Sequence, residues 1–210
     1  MGRSLIVFIA VFFLTGCGSG KYRASKVIFD DTYRIADTDN MEFVFSDDST
    51  LVVRQKGIYE FKENDPGELV VRICLDDISR ELPEDYNFTE YLLRRAEDHI
   101  VLTYTTDEFN LDANPMMMFL LDGEDGLMTG EYFEGTYQIG ADGDSYQYIF
   151  KEDGSLTMQV TEHYYADKKK MILSDHAGST QYQYEASEDA IILKNAKGET
   201  LLTLQKKAGT

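Results

Sequence analysis

The groups with the means to do chemistry in this chain of 210 residues are two cysteines, three histidines and 38 acidic side chains. A cysteine acts as nucleophile or ligand only as the thiolate, which needs a base, a cation or a metal beside it. Cys17 closes an apolar run as Leu14-Thr15-Gly16-Cys17, whereas Cys74 ends Val70-Val71-Arg72-Ile73-Cys74, a strand pattern that predicts a buried structural thiol. His99 falls in an acidic turn, His163 precedes Tyr164-Tyr165 in a strand, and His176 sits in the loop Ser174-Asp175-His176-Ala177-Gly178. No His-x-His, His-Glu-x-x-His or Cys-x-x-Cys spacing occurs, so no catalytic residue, cofactor-binding residue or metal ligand is assigned and no cofactor is expected. The loops Asp122-Gly123-Glu124-Asp125-Gly126 and Asp142-Gly143-Asp144 offer oxygen ligands without the spacing of an EF-hand. They read as solvated acidic turns, with calcium left open. Paired carboxylates could serve a glycosidase, but no pair stands out and tryptophan, the usual sugar platform, is absent.

The element that positions Cys17 is local. Met1-Gly2-Arg3-Ser4 carries one positive charge, and Leu5–Leu14 is an unbroken apolar run of ten residues. A helix of that length reaches about 15 Å, half of a hydrocarbon core, which suits the core of a secretory signal and not a spanning anchor. Leu14-Thr15-Gly16-Cys17 resembles the lipobox of bacterial lipoproteins. The resemblance implies that residues 1–16 are a signal peptide cut before Cys17. It also implies that Cys17 carries a thioether-linked diacylglycerol and an acyl chain on its new amino group. Two or three chains hold a protein firmly where one does not. A stop-transfer anchor, or an ordinary cleaved signal with an incidental cysteine, are the alternatives. Residues 17–29, with Gly18-Ser19-Gly20 and the basic Lys21, Arg23 and Lys26, then form a tether.

Charge limits the partners. Loss of Arg3 with the signal takes the formal charge from −18 to −19, with 38 Asp and Glu. Such a surface repels nucleic acid, so no nucleic-acid partner is expected. Attachment to the membrane is expected through the lipid on Cys17, on the extracytoplasmic side of the cell envelope.

The rest of the chain repeats itself. Thr32-Tyr33-Arg34-Ile35 matches Thr136-Tyr137-Gln138-Ile139, and Met41–Leu51 matches Tyr146–Leu156. Later, Glu90–Leu102 matches Gln181–Leu193. The offset is 104 to 105 early and 91 late, which places an insertion in the first copy at about residues 62–87. A first β-module over 30–130 and a second over 131–207 follow. Alone, Thr89–His99 has helix-forming composition, but its counterpart Ser179–Tyr184 alternates with period two, so both are read as strands ending in acidic turns. Any helix is expected in the insertion or near Asn114-Pro115-Met116. In the second copy, strands are predicted at Gly135–Ile139, Tyr146–Phe150, Leu156–Thr161, Lys170–Leu173, Thr180–Glu185, Ala190–Lys194 and Thr200–Lys206, joined by tight turns at Glu152-Asp153-Gly154 and Ala196-Lys197-Gly198.

The fold class is therefore all-β, with tandem antiparallel meander modules. Their pattern of aromatic strand, Asp-Gly-Ser turn, strand and Tyr-rich strand is similar to the small lipocalin-like modules of bacterial lipoproteins. The resemblance implies small barrels or curled sheets and carries no chemistry. Phe88, Tyr91, Leu93, Tyr182 and Tyr184 would face the interiors, packing there or lining room for a small apolar ligand. Met116-Met117-Met118 reads as core. The expected function is a binding or interaction module at the envelope, with an envelope protein or a small apolar ligand as partner. The alternative is an envelope hydrolase using acidic residues.

Overall fold

Period-two alternation decides the elements. In Met41–Phe45 the residues Met41, Phe43 and Phe45 are buried while Glu42 and Val44 are half-buried, and Lys170–Ser174 and Ala190–Lys194 alternate likewise. The computed structural model describes residues 25–36, 38, 40–63, 68–75, 88–105, 115–122, 134–140, 146–174 and 178–208. It is all-β, and the described residues form fourteen strands with no helix. The first repeat supplies β1 (Asp31–Ile35), β2 (Met41–Phe45), β3 (Thr50–Glu63), β4 (Leu69–Cys74), β5 (Thr89–Arg95), β6 (Ile100–Tyr104) and β7 (Met116–Asp122). The second supplies β8 (Gly135–Ile139), β9 (Tyr146–Phe150), β10 (Ser155–Ala166), β11 (Lys170–Ser174), β12 (Ser179–Ala186), β13 (Ala190–Lys194) and β14 (Thr200–Lys206).

The ambiguous segment after Thr89 is strand up to Arg95, followed by a turn before Ile100, as its counterpart β12 requires. Met116–Asp122 is also strand, not helix. Of the expected insertion, residues 62–63 and 69–74 belong to β3 and β4, and 76–87 lie outside the described residues. Residues 75–88 join β4 to β5, where 175–178 suffice between β11 and β12.

Two compact units divide the chain, one from residues up to Arg54 and from Val160 on, the other from Gln55–Gln159. In the first, the hydrogen-bonded order runs from the start of β3 through β2, β1, β14, β13, β12 and β11 to the end of β10. The Tyr164 amide donates to the Ser49 carbonyl at 2.9 Å, so the ladder returns to the head of β3. Phe45, Leu51, Tyr164, Met171, Ile191, Leu193 and Leu204 fill this ring.

The second unit repeats the scheme with the end of β3, then β4 to β9, and the start of β10. Here the Tyr59 amide donates to the Gly154 carbonyl at 2.9 Å. The interior packs Tyr59, Val71, Tyr91, Ile100, Leu102, Met118, Tyr137, Phe150 and Leu156 into one cluster.

The repeats and the compact units partition the chain differently. Each ring takes three strands or strand parts from one repeat and five from the other, because β3 and β10 both run across the unit boundary. Register reproduces the repeat pair by pair. Leu204 faces Ile35 between β14 and β1 as Met118 faces Ile139 between β7 and β8. Met171 faces Tyr182 between β11 and β12 as Val71 faces Tyr91 between β4 and β5. A ring has no free edge, so neither unit presents an edge strand for pairing among its described strands.

Candidate functional site

Cys17 lies outside the described residues, as do His176, residues 123–126 and Asp142-Gly143-Asp144. Cys74 ends β4 with no exposure. Its carbonyl abuts Gly57 so closely that a Cβ on Gly57 would collide with it. His99 is less exposed than a turn residue was expected to be. Its ring lies 5.0 Å from that of Phe119, and Nδ1 is 2.7 Å from a carboxylate oxygen of Asp98. His163 is half-buried on β10. Met118 is in the core as expected, whereas Met117 is 38% exposed on the opposite face of β7.

Of the tyrosines expected to face the interiors, Tyr91 and Tyr182 are buried. Tyr91 is buried with its ring 4.8 Å from that of Tyr104, and burial with the neighbouring Tyr148 and Tyr104 pushes its hydroxyl pKa up. Burial pushes Tyr148 up to about 12. Tyr182 is raised too, by burial and then by the charge of Glu162. Tyr184 and Leu93 are only partly buried, and Phe88 stacks under the guanidinium of Arg72 at 4.3 Å. Glu162 is the acid that pattern reading passed over. It shares the inward parity of Val160, Tyr164 and Ala166 on β10, and that signal could have found it.

Carboxylates with shifted pKa values among the described residues sit in turns, and all are lowered. The hydroxyl and amide of Thr50 hold Asp48 below the usual range, and those of Ser155 do the same for Asp153, one repeat later. The imidazole of His99 lowers Asp98, and the amide of Lys169 lowers Asp167. No three His, Cys, Asp or Glu side chains among the described residues gather as a metal would require.

The most constructed feature is the place where the N-terminal segment enters the first ring. The Ser25 amide donates to the Ser49 hydroxyl at 3.1 Å, and the Ser25 hydroxyl accepts from the Ala166 amide at 2.8 Å. The amides of Lys26 and Val27 both donate to the Ala166 carbonyl, at 2.8 and 3.0 Å. Phe29 then inserts among Phe45, Tyr164 and Tyr184, with ring centroids 5.6, 6.2 and 5.9 Å away. The Tyr164 hydroxyl accepts from the Phe29 amide at 3.1 Å and is shared between the carbonyls of Phe29, at 3.1 Å, and Ser46, at 3.0 Å. Beside this lock the β10–β11 turn brings Asp167, Lys168 and Lys169 to the surface. Asp167 accepts from the amides of Lys169 and Lys170, at 2.9 and 3.2 Å, and its own carbonyl accepts from the Tyr184 hydroxyl at 2.7 Å. The tether expected over residues 17–29 therefore includes a packed part, residues 25–29. The alternation of Val27, Phe29 and Asp31 with exposed Lys26, Ile28 and Asp30 is the sequence sign that this segment packs on the ring.

No protein-family model matches the chain, and no curated protein or solved structure matches it either.

Proposed function

We propose that this is a lipid-anchored extracytoplasmic protein, held in the cell envelope by lipid on Cys17, whose folded body is a binding or interaction module. The observation that carries the reading is the N-terminal lock. The described residues begin with Ser25 in a built attachment point on the first ring, and residues 18–24 of the sequence lie between it and the lipobox cysteine. A segment joined to the body by amides, hydroxyls and a buried phenylalanine suits a chain that transmits the pull of an anchor.

Recognition of a partner then falls to loops and outer faces. The inward side chains of each ring pack on one another, which favours an envelope protein over a small apolar ligand as partner.

Mass spectrometry of the mature chain tests the anchor. Acyl mass on Cys17, and its loss with release from membranes in Cys17→Ser, are expected; an unmodified Cys17 ends the proposal. A pull-down of envelope proteins with the body then identifies the partner.

A further inference from the structure

We infer that Lys26, Lys168 and Lys169 form a headgroup-contacting foot, by which the first ring stands on the anionic lipids of the bilayer that holds Cys17. The inference rests on the lipid anchor proposed above. Residues 18–24, fully extended, span at most about 25 Å. The Ser25 lock is therefore never far from the bilayer surface, and everything hydrogen-bonded to it stays close as well.

What is hydrogen-bonded to it is Ala166, the last residue before the turn Asp167-Lys168-Lys169. Lys26, Lys168 and Lys169 are exposed and take part in no ion pair among the described residues, whereas the Lys170 ammonium is held by Gln181 at 3.1 Å. Acids are present at the same corner. Asp167 is turned into its own loop by two amides and by the Tyr165 hydroxyl, and Asp48 caps Thr50 at 2.9 Å. Asp30 and Asp47 face solvent. Capping leaves Asp48 and Asp167 ionised, so the four acids of this corner balance Lys26, Lys168, Lys169 and Lys170. Against a whole-chain charge of −18, a near-neutral corner with three projecting ammonium groups is the exception.

The consequence is orientation. A uniformly acidic body would be pushed off an anionic surface in any attitude, while this near-neutral corner is the one that can approach it and put its projecting ammonium groups on headgroups. Each basic side chain at such a surface contributes about fivefold in surface affinity, and the attraction fades beyond roughly 10 Å at ordinary salt. The short tether lets the corner come within that range and limits how far it can leave it.

The test attaches the mature chain, starting at Cys17, to vesicles bearing maleimide lipid. Cys74 has no exposure, so coupling is confined to Cys17 and does not depend on natural lipidation. Amine acylation of each lysine is followed by mass spectrometry on phosphatidylcholine vesicles with and without about one third phosphatidylglycerol. Lys168 and Lys169 are expected to react about threefold or more slowly on the anionic vesicles, with Lys197 unchanged and the protection erased by 0.5 M salt. In Lys168→Gln/Lys169→Gln, Lys26 loses its protection while the circular dichroism spectrum is kept. Equal reactivity on both vesicle types, or protection that ignores salt, overturns the foot. Failure of the natural chain to carry acyl mass on Cys17 is a separate outcome and overturns the anchor.

Discussion

The two rings are built to one plan and differ where the plan does not require agreement. Inside, residues correspond one to one. Phe45 packs on Tyr164 at 5.1 Å and 82° in the first ring, and Phe150 packs on Tyr59 at 5.0 Å and 87° in the second. Tyr33 on Phe45 at 5.6 Å is matched by Tyr137 on Phe150 at 5.7 Å. Even the turn is shared. Ser49 adopts φ 71° where Gly154 adopts φ 80°, so the first copy holds a left-handed residue without glycine. Its hydroxyl instead receives the Ser25 amide.

The departures are more informative. Inward-facing Glu162 of β10 stands where β3 has Gly57, under the Cys74 carbonyl. On the outside, β14 presents Thr203 and Gln205 where β7 presents Met117 and Phe119. Shared interiors reflect the packing that a ring of this size demands. Differing exteriors and single buried exceptions are free of that demand.

Several experiments would break or sharpen this comparison. The largest effect is expected from truncation after residue 130, which removes five strand elements from the first ring and three from the second. Cooperative unfolding should be lost altogether in a denaturant titration. A fragment that still unfolds cooperatively would make the repeat, and not the ring, the folding unit.

Next in size is Gly57→Ala, which sets a Cβ against backbone at Cys74. Overpacking against atoms that cannot rotate away should cost about 3 kcal/mol, read as a drop in the urea midpoint. A midpoint unchanged from the parent would show that the second ring has the slack of its partner at this position.

Alkaline pH should distinguish the rings as well. Tyr148 corresponds to Phe43, which cannot ionise. Its pKa is raised from 10.0 to about 12 in the folded chain, so the native state holds this proton more tightly than the unfolded one. Its contribution is complete below pH 10 and is lost as pH climbs from 10 to 12, at about 1.4 kcal/mol per unit. Tyr148→Phe should flatten that part of the stability profile, and an unchanged slope would place the effect on other groups.

Smaller still is the difference between Tyr164→Phe and Tyr59→Phe. The Tyr164 hydroxyl serves Phe29 and Ser46, while that of Tyr59 donates to the Lys151 carbonyl at 2.8 Å. Losses of about 2 and about 1 kcal/mol are expected in the same denaturant assay. Equal losses would mean that the N-terminal lock adds nothing to the first ring.

Much of the fold was readable from residues alone, because strands and turns are local. Tyr146–Phe150 and Ala190–Lys194 were placed to the residue by alternation, and Asp153-Gly154 marked its turn. Thr89–Arg95 needed the repeat to override its helix-forming composition, since pairing with β4 and β6 outweighs propensity. Burial at His99 was not readable, because Phe119 comes from a strand distant in sequence. The hydrogen bonds that tie Ser25, Lys26 and Val27 to Ser49 and Ala166 were not readable either, because their partners lie far along the chain.

The sequence by itself determined the all-β class, the strands of the second copy, their tight turns and the repeat pattern. Only the tertiary structure decided which strands close which ring. β1 turns to β14 and β8 to β7, and β3 and β10 each serve both rings. The reason is physical. Both copies carry the same alternation and the same register, so a strand fits its own repeat or the other equally well by pattern. The choice rests on long-range pairing along two long strands, which no local period encodes.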